Sequence, residues 1–162
     1  MGTTTDEFIQ QLQNGVYEVD GLLVALKAEY EALEKNDLVA FEKAVIDKQQ
    51  HANNLQRLEA ALIETLKSAG LQSDSNGVEQ FLQQKTNNSE THTGVELWQR
   101  LQTCFDSCRT QNLVNGHIIS LASYTVQQAL NVLTGKESSG ASTYTAGGKS
   151  KEDGKGHSIA IA

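Results

Sequence analysis

Three sets of residues in this chain have types and spacings that could carry chemistry. Gly148, Lys149 and Ser150 resemble the end of a phosphate-binding loop, whose backbone N–H groups wrap phosphates between a strand and a helix. The full pattern, G-x-x-x-x-G-K-[S/T], needs an opening glycine at position 143, where the chain has Thr143. The flanks "GKESSGAS" and "KEDGKGHS" show neither strand character nor an apolar helix, so the spacing argues against a nucleotide site. Cys104 and Cys108 lie four apart on one helical face. A zinc site would need at least two more ligands, and none is suitably spaced. A radical iron–sulfur pattern would need a cysteine at position 111, which is Gln111. Buried packing is the expected role of the two thiols. His51 sits on a helix, as the reactive histidine of bundle-type phosphotransfer domains does. It is followed by "ANNLQ" rather than the leucine, lysine and glycine usual there. His117 follows Gly116 with no carboxylate close in sequence. No acid–base pair or activated nucleophile emerges, so no catalytic residue, metal or cofactor is expected and the chain does not read as an enzyme.

Composition narrows the classes further. The net charge of −7 over 162 residues argues against a nucleic-acid partner, whose electrostatic footprint is basic. No run approaches the roughly 18 apolar residues of a membrane span. The start "MGTTTDEF" lacks the basic and apolar regions of a secretory signal, and Asp6 stands where myristoylation needs Ser or Thr. A cytoplasmic location is the resulting expectation. Proline is absent, and proline breaks helix interiors. Aromatic residues make up 6% of the chain, leaving Leu, Ile, Val and Ala to build the core.

These features predict an all-α protein: a long antiparallel helical hairpin plus a third long helix, in an elongated coiled-coil-like bundle with a flexible C-terminal tail. The bundle domain is expected over residues 1–135, with helices at about 4–35, 37–69 and 94–134 and a polar loop at 72–93; the tail is 136–162. The first stripe runs Leu12, Val16, Val19, Leu23, Leu26, Tyr30, Leu33. Thr4 with Glu7 reads as a capping box, while Gly15 and Gly21 predict a soft first half. Asp37 can cap the second helix, whose stripe includes Lys48 among its apolar positions. Gly70 and Leu71 supply a C-terminal cap, and the short connection forces an antiparallel hairpin. "GVEQFLQQK" in the polar loop could form a short helix anchored by Phe81 and Leu82.

Thr93 with Glu96 reads as the cap of the third long helix. Its seam runs Trp98, Leu101, Phe105, Cys108, Asn112, Asn115, Ile119, Ala122, Val126, Leu130, Leu133. Polar seam residues fix register at a cost in stability. A second stripe, Val114, Ile118, Leu121 and Val132, makes the helix apolar on two sides. Such a helix is buried on both sides or has a partner, and both readings stay open. In the tail, composition predicts a mobile segment. Tyr144 is its large amphipathic anchor, and Ile159 and Ile161 alternate with alanines in a two-residue period suited to an added strand.

The hairpin "LLVALKAEYEALEKNDLVAFEKAVIDKQQHANNLQRLEAAL" resembles the FlgN-type flagellar export chaperones. So does the third helix, with Trp98, Leu101, Cys108, Asn112, Asn115, Gly116 and Ile118 followed by "QQALNVLTG". The tail is similar in its tyrosine, its glycine-containing turn and its closing isoleucine, although Thr145 stands where relatives often have glycine. The likeness covers roughly residues 20–135 and the tail. It implies a type III export chaperone that holds hook-associated (hook–filament junction) proteins, prevents early assembly and delivers them to the export gate. It also implies cargo binding through the C-terminal portion, where Val114, Ile118, Leu121 and Val132 are the candidates. Docking to the cytoplasmic domain of the gate is implied for Tyr144, and Ile159 and Ile161 are candidates beside it. A structural coiled-coil adaptor, acting as a homodimer without cargo, is the alternative.

Overall fold

In the computed structural model, which describes residues 2–85 and 88–134, four helices follow one another. They are α1 (Gly2–Lys35), α2 (Leu38–Ser68), α3 (Ser75–Lys85) and α4 (Asn88–Leu133). No strand occurs among the described residues, so the chain is all-α as its composition implied. It divides into two compact units, Met1–Tyr124 and Thr125–Ala162. The expected tail of 136–162, including Tyr144, Lys149, Ile159 and Ile161, lies outside the described residues.

Local chemistry sets the hairpin turn. Asn36 adopts φ +51°, a left-handed conformation that Asn tolerates better than most residues. Asp37 then caps α2, its Oδ1 accepting from the Ala40 amide at 3.0 Å. At the far end Gly70 takes φ +74°, and the amides of Gly70 and Leu71 return to Lys67 O and Leu66 O at 3.0 and 2.9 Å. This closes α2 as the sequence predicts.

The polar connection is more ordered than its composition suggests. Asp74 Oδ1 accepts from the Gly77 amide at 2.9 Å and starts α3. A Cβ on Gly77 would lie 1.8 Å from Gln72 O, so the turn admits only glycine. Val78, Phe81 and Leu82 are buried with Phe8, Leu12 and Leu66, and the Phe8 and Phe81 rings stand 4.2 Å apart at 34°. Val78 is thus a third anchor beside the two expected. α4 begins at Asn88 rather than 94, so Thr93 and Glu96 lie inside the helix instead of capping it. Its early turns are tied to α3 by Thr91 Oγ1, which donates to Leu82 O at 3.1 Å.

In the first unit α2 runs antiparallel to α1, and α4 runs parallel to α1. Their pairings climb together, from Asp20 with Arg100 and Cys104 to Leu26 with Asn115. The glycines of α1 are close-approach points rather than weak ones. A Cβ on Gly15 would lie 2.6 Å from Leu101 Cδ1, and one on Gly21 would lie 2.3 Å from His51 Cε1. A second buried cluster, Val19, Leu26 and Cys108, gathers Leu22, Leu23, Leu55 and Cys104 around it.

Candidate functional site

All three long helices contribute to one buried polar node. Glu29 of α1 and Asn115 of α4 are each only 1% exposed. Lys48 Nζ of α2 donates to Glu29 Oε1 at 2.5 Å. Asn115 Nδ2 donates to Glu29 Oε2 at 2.7 Å and to Leu26 O at 2.8 Å. Gln111 Nε2 donates to Asn115 Oδ1 at 3.0 Å, so both protons and the oxygen of the Asn115 amide have partners. Burying a carboxylate is costly unless it is paired and hydrogen-bonded, and Glu29 is both. The node holds α1, α2 and α4 in one register.

The core face of α4 follows from that register. It runs through Leu101, Cys104, Cys108, Gln111, Asn115 and Ile118, all buried or half-buried. The expected seam took Phe105, Asn112 and Ile119 instead, each one position later; all three are exposed. Asn115 is the seam asparagine and Asn112 is not. Around and beyond Asn115 the first unit leaves large apolar side chains exposed. Leu113, Val114, Ile119, Leu121 and Tyr124 are all exposed, Leu121 at 68%. In the second unit Val126, Leu130, Val132 and Leu133 are exposed, Val132 at 79%. Of the four expected cargo residues, Val114, Leu121 and Val132 are therefore exposed and Ile118 is half-buried.

Of the residues that suggested chemistry, His51, Cys104 and Cys108 have structural roles, while Gly148, Lys149 and Ser150 lie outside the described residues. His51 Nδ1 lies 2.7 Å from Glu18 Oε2 and its ring fills the space over Gly21, joining α2 to α1. Cys108 is buried, with Sγ 3.6 Å from Val19 O, and burial pushes its thiol up to about 11. The Cys104 thiol is also raised, chiefly by burial and then by Asp20, to whose carboxylate it donates. No group of three or more His, Cys, Asp or Glu among the described residues could hold a metal.

The FlgN protein family matches this chain over residues 1–152. The chain belongs to that family. FlgN proteins are chaperones of flagellar export, and this general role in flagellum biogenesis applies here. A crystal structure assigned to flagella synthesis as a FlgN of Pseudomonas aeruginosa has a similar fold. It has a TM-score of 0.61 at 24% identity, covering 76% of this chain and 93% of that one. Among curated proteins nothing matches. None of the described helices of this FlgN-family chain is long and apolar enough to cross a membrane.

The signal for the node was partly visible in the sequence. Lys48 stands in an otherwise apolar stripe and Asn115 in a seam. Glu29 could not be singled out, because it is one of seven acids among residues 1–34.

Proposed function

We propose that this FlgN-family chain holds hook-associated proteins in the cytoplasm, keeps their helical ends from assembling and hands them to the export gate. The observation that carries the reading is the exposed apolar surface of α4 around Asn115 in the first unit, with Leu113, Val114, Ile119, Leu121 and Tyr124. Contiguous exposed apolar patches of this kind mark interaction sites on water-soluble surfaces. An amphipathic cargo helix would lay its apolar side against Val114 and Leu121, with the half-buried Ile118 between them. Val132 offers the same chemistry within the second unit. Tyr144, with Ile159 and Ile161, is the proposed handle for the cytoplasmic domain of the gate.

Val114→Asp with Leu121→Asp tests the cargo surface, since both residues are exposed and their replacement spares the core. The double variant is expected to lose pull-down of hook-associated proteins while keeping its helical circular-dichroism signal. Wild-type binding by that variant would reject the surface. The homodimer reading competes for the same apolar side chains. Light scattering that finds a tight dimer, dissolved by the same two changes and indifferent to cargo, would favour it.

A further inference from the structure

A second apolar surface lies lower in the first unit. Along α2 from Ala52 to Leu66 and along α4 from Trp98 to Arg109, the two helices wall a groove of about 1160 Å³, with Gly15 and Leu22 of α1 also lining it. We propose that this groove is an uncovered fourth-helix position, which takes an amphipathic helix with a basic rim from another protein.

The argument begins with α3. At one end of the bundle this helix already occupies the fourth position, packing Val78, Phe81 and Leu82 into a cluster with Phe8, Leu66 and Trp98 of the three long helices. The groove starts where α3 starts, since Asp74, Ser75 and Val78 form part of its lining. Beyond that point both walls carry apolar side chains interleaved with polar ones, and among the described residues no fourth helix lies over them. Leu58 and Ile63 are half-buried on α2, and Phe105 remains 39% exposed on α4. At 1.5 Å per residue the walls are roughly 17 to 21 Å long, enough for a helix of about three to four turns. The rim sets the sign of the partner. Glu59, Asp74 and Asp106 face a single base, Arg109, which is itself 3.7 Å from Asp106. Complementary charge on the incoming helix would fix its register and exclude acidic competitors. The lining of α4 ends at Arg109, before Leu113, so the groove is separate from the proposed cargo surface.

The test uses the full chain and a fluorescein-labelled peptide of about 14 residues, with leucines at helical a and d spacing and lysine or glutamine elsewhere. Controls are a scrambled peptide of the same composition and one with glutamate for lysine, all at about 150 mM salt. Saturable one-to-one binding is expected, with both controls at least roughly tenfold weaker. Leu58→Gln with Phe105→Gln should weaken the leucine–lysine peptide by a similar factor, with helix content and melting unchanged. Leu121→Asp should leave it unchanged, which separates this proposal from the cargo surface. Should the glutamine variant unfold, Glu59→Lys with Asp106→Lys alters only exposed residues; it must weaken the lysine peptide and strengthen the glutamate one. Equal binding of the scrambled peptide, or full affinity in either double variant, overturns the proposal. So does a dimer that Leu58→Gln with Phe105→Gln dissolves while no peptide binds.

Discussion

Glu29 of α1 and Asn115 of α4, 86 residues apart in sequence, share a 2.7 Å hydrogen bond that is closed to solvent. Lys48 completes the charge pair from α2. Removing one partner of a buried ion pair leaves an uncompensated charge and costs about 3–5 kcal/mol, whereas replacing both by apolar groups is often neutral. Lys48→Met should therefore lower the urea-unfolding free energy by about 3 kcal/mol. Combining it with Glu29→Leu should recover much of the loss, although Asn115 then keeps only Leu26 O as an acceptor for its two amide protons. If Lys48→Met changes stability by less than about 1 kcal/mol, solvent already reaches the pair and the node does not set register.

The Cys108 thiol yields a prediction about pH. Its value of about 11 lies above an ordinary cysteine near 8.5, so at pH 8 its thiolate is scarcer by roughly two orders of magnitude. Ellman's reagent should modify it correspondingly slowly in the native protein and rapidly in urea. The sign for stability follows from proton linkage. The folded thiol keeps its proton after the unfolded one has lost it, so this contribution is complete below the unfolded value. It is lost as pH rises toward 11. Unfolding midpoints under reductant from neutral pH to about 10.5 should fall more steeply in the parent than in Cys108→Ala. Parallel curves, or native labelling as fast as a free cysteine, would contradict the buried assignment.

How much of this was legible in the sequence depended on whether the signal was local. Asp37 and Gly70 act through backbone within their own turns, and both do what their positions imply. The phase of α4 depended on distant partners. A seam of threes and fours can step from Leu101 to Cys104 or to Phe105, and hydropathy alone favours phenylalanine. With Asn115 held by Glu29 and Leu26 O, the structure takes Cys104, whose thiol meets Asp20, and leaves the Phe105 ring on the groove wall. The same shift exchanges Asn112 for Gln111 and Ile119 for Ile118. Residues 72–93 read as a polar loop that could hold a short helix on Phe81 and Leu82; the helix forms and Val78 joins them because Phe8 and Leu66 offer a cluster to pack against.

Tyr144 is the residue through which the proposed gate contact can be separated from cargo holding. Tyr144→Ala should weaken co-purification with the cytoplasmic domain of the gate while leaving pull-down of hook-associated proteins intact. Lys149→Ala should change neither, because the Gly-Gly-Lys-Ser run lacks the spacing of a phosphate-binding loop. If Tyr144→Ala abolishes both interactions, or Lys149→Ala abolishes either, the division of labour is wrong.

Gly94 and Gly116 lie on the same helix and should respond to alanine with opposite signs. Alanine in a helix interior is worth about 1 kcal/mol over glycine. At Gly116 a Cβ meets nothing within 4 Å, so Gly116→Ala should raise the unfolding free energy by about that amount. At Gly94 the new carbon would sit 2.3 Å from Leu82 Cδ2 and 2.9 Å from Ile9 Cδ1. Relieving that overlap must displace the fully buried Leu82 side chain and the Ile9 methyl inside a packed cluster, and overpacking of this kind costs about 1–3 kcal/mol. Gly94→Ala should therefore be destabilising despite its better propensity, with the loss reported by solvent exposure of Trp98 fluorescence. Stabilisation by both substitutions would mean that the Leu82 and Ile9 side chains yield freely at this contact. If Gly116→Ala stabilises the chain yet weakens cargo pull-down, the cargo backbone passes close to that glycine.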